Sequence, residues 1–149
     1  MSSMSIDGFI AGILASMRLS QIVSYPAANI DEKIVYSFNL LEQLAQRKDV
    51  EMRFHCGLNP YTKQCSTIHY GFVRAVRSGL ITKGAHEFEI LLSIEEAADV
   101  INASPFSLTE WKLIIKNLRT ETYFESLYGL SLCLAAPGLG GVITSNPLP

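Results

Sequence analysis

Apolar residues recur along this chain at two spacings, three to four residues apart and two apart, and the punctuation between them sets out an order of elements. Ile6 to Val23 is an apolar stretch interrupted by Asp7 and Arg18 and is expected to be a buried or partner-facing helix. Asn29-Ile-Asp-Glu32 has the form of a capping box. The helix it predicts carries Ile34, Phe38, Leu41 and Ala45 on one stripe and ends in the polar run Gln46 to Asp49. Met52, Phe54 and Cys56 alternate with polar neighbours, which predicts a short strand, and Gly57-Leu-Asn-Pro-Tyr61 predicts a turn. A central helix is predicted from Ser66, with Ile68, Phe72, Ala75 and Val76 on its apolar side and Thr67, Tyr70, Arg74 and Arg77 opposite.

Gly79 suits the left-handed position that closes such a helix. Ile81 to Lys83 and Phe88 to Leu92 then read as a hairpin around Gly84-Ala85-His86. Ser93-Ile-Glu-Glu96 and Ser107-Leu-Thr-Glu110 are two further capping boxes. The first opens a helix with Ile94, Ala98 and Ile101 inward, stopped by Pro105; the second opens one with Trp111, Ile115 and Leu118 inward. A last helical stretch is expected from Glu121 to about Ala136, before Pro137-Gly138. The sum is a mainly helical α+β fold. The sequence of capped helix, glycine stop, two strands around a tight turn and another capped helix is the order of a winged-helix core, with a short hairpin wing and flanking helices. Residues 1–28 are expected to be an apolar packing segment, 29–136 the winged-helix domain and 137–149 an apolar tail.

Composition narrows the function. Charged residues are only 17% of the 149 and hydrophobic residues 48%, and the formal charge is −2, so a polyanion feels little global attraction. Any nucleic-acid contact must be local. The segment Thr62 to Gly84 supplies one: Lys63, Arg74, Arg77 and Lys83 with no acid, and Tyr70 beside them. The following segment, His86 to Glu110, reverses the sign with six acidic residues and no Lys or Arg. The apolar residues near both ends, Ile10, Ile13 and Leu14 in front and Leu139, Val142 and Ile143 behind, are expected to contact a partner.

Candidate chemistry is sparse. His55, Cys56, Cys65 and His69 have a spacing unlike that of structural zinc sites, and no metal or other cofactor is expected. Cys65 and His69 lie one helical turn apart without a third group to orient them, and no glycine-rich loop precedes a Lys-Ser/Thr pair, so no catalytic residues are assigned. The irregularly spaced Cys56, Cys65 and Cys133 suit reduced thiols of the cytoplasm, and no stretch has the form of a signal peptide or a membrane span.

The run Met52 to Thr62, followed by Phe72-Val-Arg-Ala-Val-Arg-Ser-Gly-Leu-Ile81, resembles a loosely defined group of prokaryotic winged-helix proteins, the antitoxin-like and phage-associated proteins of the SocA/Panacea type. Lys33-Ile34, Phe54, Pro60-Tyr61-Thr62 and Gly79-Leu80-Ile81 occur in the order of that pattern, over about Asp31 to Tyr128, although Asn59 stands where the pattern has glycine. The layout is also similar to the small middle subunits of three-component ABC- or SMC-type ATPase defence systems. The resemblance implies a non-enzymatic accessory subunit of a larger nucleic-acid-handling or anti-phage assembly, with an ABC/SMC-type ATPase as the large partner and DNA contacted directly or through the complex. A free-standing DNA-binding regulator or antitoxin, typically a homodimer, is the alternative it implies.

Overall fold

A computed structural model describes residues 2–116 and residue 118. The chain divides into a compact unit over Met1–Ile115, which holds all but two of the described residues, and a second over Lys116–Pro149. The expected last helix and the residues Leu139, Val142 and Ile143 lie outside the described residues.

The fold is α+β and mainly helical, running β1 (Ser2–Met4), α1 (Ile6–Leu19), β2 (Ser24–Pro26), α2 (Ile30–Lys48), β3 (Val50–Met52), α3 (Ser66–Arg77), β4 (Ile81–Lys83), β5 (Glu87–Ile90), α4 (Ile94–Ala103) and α5 (Leu108–Ile114). The strands make two small sheets. β1 pairs parallel with β3, Ser2 opposite Val50 and Met4 opposite Met52. β5 is the middle strand of the other sheet, antiparallel to β2 on one side and to β4 on the other. Its alternation fits that place, with Phe88 and Ile90 inward and Glu87 and Glu89 exposed. The turn between β4 and β5 closes with the Gly84 N–H donating to the Glu87 carbonyl at 2.7 Å.

α1 is the hub. It packs against α3, α4 and α5, and Phe9, Ile10, Ile13, Leu14 and Met17 are buried along it. Two close approaches make this possible. Gly12 leaves room for the indole of Trp111, which rests on the α1 backbone where a Cβ would otherwise stand. Gly71 of α3 faces Ile10 and Ile6 in the same way, with a Cβ position only 3.0 Å from the Ile10 Cγ1. Trp111 is fully buried, its Nε1–H donates to the Ser104 hydroxyl at 2.8 Å, and Phe106 meets it edge-on. Phe9, Phe38 and Phe54 form a second aromatic group. Ser37 ties α2 to α5 through a 2.9 Å hydrogen bond from its hydroxyl to the Ile114 carbonyl.

Most expected elements are present, and the differences have physical causes. The α2 stripe of Ile34, Phe38, Leu41 and Ala45 is buried as its spacing predicts. Both serine capping boxes form, each with the serine hydroxyl and the glutamate reaching across the first turn. Asn29 does not make the capping bond its sequence promised. It sits in the left-handed region at φ 58°, which turns its side chain away from the orphan N–H groups. Phe54 and Cys56 are not in a strand: pairing with β1 ends at Met52, and Phe54 is drawn to Phe9 and Phe38 instead. On α3 the buried residues are Ile68, Gly71 and Ala75, while Val76 is 41% exposed, because the face turned toward α1 is centred on the glycine. Ile94, expected inward, is 57% exposed and Ala97 is buried in its place.

Candidate functional site

α3 is the element on which most of the candidate residues stand. Its start follows a looped segment, residues 53–65, and, like α2, it has no side-chain cap on its first N–H groups. The Asp31 carboxylate, in the first turn of α2, accepts the Cys65 N–H at 2.7 Å and so pins the beginning of α3 to α2. At 100° per residue, Tyr70, Arg74 and Arg77 fall within an arc of roughly 60°, its centre about 120° round the helix from that of the buried Ile68, Gly71 and Ala75. The structure thus brings Tyr70, Arg74 and Arg77 onto one exposed face. Lys63, on the preceding loop, and Lys83, in β4, are also exposed.

The charge on this face is less than the sequence suggests. Arg74 donates from Nε to the Asp7 carboxylate at 2.7 Å, so one of its two arginines is already paired with α1. Lys63, Arg77 and Lys83 have no carboxylate partner among the described residues. Glu87 and Glu89 project from β5 on the exposed face, opposite to that of Phe88, the residue with which Lys83 is paired.

Three concavities flank α3, one of them a small one of about 190 Å³ against α1, between Asp7, Ile10, Gly71, Arg74 and Arg77. Along one side, between the helix and the three-stranded sheet, runs a mainly apolar groove of about 170 Å³. Phe72, Val73 and Val76 form its helix wall, Ile81 and Phe88 its sheet wall, and Lys83, Asp31 and His69 its rim. The Phe72 and Phe88 rings lie 5.5 Å apart. Around the start of α3 opens a polar cleft of about 980 Å³. It lies between Asn29–Asp31, the loop residues 57–64 and the first turns of α3, with His55, Lys63, His69 and Tyr70 on its walls. Asn59 shapes that loop: its side-chain oxygen accepts the N–H groups of Tyr61 (2.8 Å) and Thr62 (3.0 Å), and its own N–H donates to the Gln64 carbonyl at 2.8 Å. Lys63 adopts φ 60°, a left-handed conformation that non-glycine residues rarely take.

Cys56 and Cys65, at the two ends of this loop, are both buried. Burial, reinforced by the hydrogen bond and proximity of the Cys65 thiol, pushes the Cys56 thiol up to about 12, so it stays protonated and a poor nucleophile or metal ligand at neutral pH. Among the described residues no group of three or more His, Cys, Asp or Glu side chains is placed to hold a metal ion, and no helix is long and apolar enough to cross a membrane.

Ile10, Ile13 and Leu14, expected as a partner surface, need correction. Their exposures are 1%, 1% and 0%: they form the face of α1 that carries the core of the first unit. A hydrophobic run read alone does not say which neighbour will cover it, and here α3, α4 and α5 of the same chain do. Residues 1–28 fall within the first unit. The sequence reading missed the groove and the cleft. The apolar groove was signalled by Val73 and Val76 on the flank of α3; the polar cleft depends on Asn29 and loop 57–64 meeting across the fold and had no local signal.

No known protein family, curated protein or solved structure matches this chain.

Proposed function

We propose that the first unit is a winged-helix interaction module, and that the protein is a non-enzymatic accessory subunit of a larger nucleic-acid-handling assembly, such as an ATPase-driven prokaryotic defence complex. What supports the winged-helix reading is the strand order β2-β5-β4 combined with the chain order α1, β2, α2, α3, β4, β5. In such a module a strand after the first helix pairs with the second strand of the hairpin that follows the third helix, and that third helix is the one presented outward. The segment 49–65 between α2 and α3 is much longer than the turn of about 3–4 residues in a simple helix-turn-helix.

The observation that favours a protein partner over a DNA groove is the groove between α3 and the sheet. The groove lines a flank of α3 with Phe72, Val73 and the exposed Val76, the composition of an interface core rather than of a phosphate-binding surface. Asp7 on Arg74 and the exposed Glu87 and Glu89 further reduce the local attraction for a polyanion.

Tagged co-purification from the native host, with and without nuclease, tests this. Recovery of a large ATPase subunit in both samples, lost in Val76→Asp, is the expected result. Recovery of the chain alone, or only with nuclease-sensitive DNA, overturns it. The second reading, a DNA-binding regulator, draws on Arg77 and Lys83, which have no carboxylate partner among the described residues. It requires that Arg77→Glu abolish DNA binding and that affinity fall steeply with salt.

A further inference from the structure

The polar cleft at the start of α3 has features that the accessory-subunit reading does not use. Its volume of about 980 Å³ lies at the upper end of the range of small-molecule clefts, roughly 300–1,000 Å³. Asn29, Gln64 and Thr67 line it with side chains that can both donate and accept, and Asn59 and Thr62, whose oxygens already accept N–H groups of the loop, add donors; such a lining can read a heterocycle edge. Tyr70 stands on the wall at 60% exposure, an aromatic face open for stacking. Lys63 is on the loop side with no carboxylate partner among the described residues, and Asp31, the one carboxylate of the lining among them, already accepts the Cys65 N–H. The cleft therefore offers a cation, a stacking ring and amide groups, with its one negative charge partly satisfied. The Asn59 hydrogen bonds hold the loop in place beforehand, which lowers the entropy lost on binding.

We propose that this cleft binds one nucleotide unit, its base stacked on Tyr70 and its phosphate paired with Lys63. The unit comes either from a free nucleotide or from a single strand passing the start of α3; both present the same base, sugar and phosphate. The proposal does not rest on a protein docking in the α3–sheet groove. The groove centres on Phe72 to Val76, the cleft on residues 57–70, and the two share only Ala27, Ile30, Asp31 and His69.

The test uses the ¹⁵N-labelled full chain, titrated separately with AMP, a single-stranded hexanucleotide, a duplex of the same sequence and inorganic phosphate. Amide shifts confined to residues 57–70 and saturating with AMP or the hexanucleotide are expected; a response to the hexanucleotide alone identifies the single strand as the source. Tyr70→Ala is expected to weaken binding about tenfold, the scale of one lost base stack, while Tyr70→Phe preserves it. Lys63→Glu is expected to weaken it as well, and Val76→Asp to leave it unchanged. Both cleft variants replace exposed side chains, and the near-ultraviolet signal of buried Trp111 reports that each is folded. Shifts no larger than those with inorganic phosphate, shifts mapping to Arg77 and Lys83 with duplex only, or an indifferent Tyr70→Ala would overturn the proposal.

Discussion

Replacing Gly12 by alanine sets two effects of known size against each other. Alanine in the middle of an exposed helix is worth about 1 kcal/mol over glycine. At Gly12, though, the new methyl would occupy the space taken by the Trp111 indole. Trp111 cannot easily yield: it is fully buried, held by Ser104 through its N–H and flanked by Phe106 and Phe9. Overpacking of this kind costs about 1–3 kcal/mol, and severe overlap with a pinned ring belongs at the upper end. The net expectation is a loss of about 2 kcal/mol.

Two other helical glycines calibrate the argument. A Cβ at Gly71 meets Ile10 at 3.0 Å and Ile6 at 3.3 Å, a smaller overlap with movable side-chain ends. At Gly8 the nearest atom is the flexible Met4 sulfur at 3.2 Å, so Gly8→Ala should be neutral or gain about 0.5 kcal/mol. Urea unfolding, followed by circular dichroism, should therefore rank Gly8→Ala above Gly71→Ala above Gly12→Ala. The last should melt about 1 M lower than the parent at ordinary denaturant sensitivity. Trp111→Phe, which removes the overlapping benzo ring, should make the cost of Gly12→Ala much smaller in the double variant. A Gly12→Ala protein as stable as Gly8→Ala would refute the close packing of α1 on α5.

Other outcomes follow from the same geometry. Ser93→Ala and Ser107→Ala should each lower stability by about 1 kcal/mol in thermal or urea melts, because each removes the hydroxyl of a formed capping box. The raised Cys56 thiol makes the native state hold a proton that the unfolded chain, titrating near 9.0, has released. Stability should be unaffected below pH 9 and fall as pH rises from 9 toward 12, with a shallower fall in Cys56→Ala. Iodoacetamide mapping by mass spectrometry should find Cys56 modified only under unfolding conditions. The Lys48–Glu110 pair at 2.7 Å, partly exposed, holds the Glu110 carboxyl below its ordinary range through the hydrogen bond from Lys48. Glu110→Gln should cost no more than about 1 kcal/mol at neutral pH, with the difference vanishing as pH drops through the carboxylate range.

The parts of this fold that were legible in the sequence are those whose cause is local. The α2 stripe, the two serine capping boxes, Gly79 at φ 78° and the β4–β5 hairpin each follow from residues within a few positions of one another. What was not legible arises across distance. Ser24–Pro26 carries no strand pattern of its own and becomes β2 only because β5 offers an edge to it. Ser2–Met4 is likewise a strand by virtue of β3. The apolar face of Ile10, Ile13 and Leu14 was visible, but its owner was not, since nothing in that stretch announces Trp111. For the candidate site, the exposed Tyr70, Arg74 and Arg77 arc was readable from helical spacing. The Asp7 carboxylate on Arg74 was not, because the two residues meet only through the α1–α3 packing.

The docking of Trp111 on Gly12 also sets a timetable for synthesis. The two residues are about 100 positions apart, so at ordinary translation speeds roughly 5–20 s separate their appearance from the ribosome. Throughout that interval α1 exists without one of the elements that cover it, its greasy face of Phe9, Ile10, Ile13 and Leu14 available to any passing surface. Truncations or pauses before α5 should therefore yield nascent chains that recruit chaperones strongly, and release of those chains should coincide with the arrival of a single tryptophan.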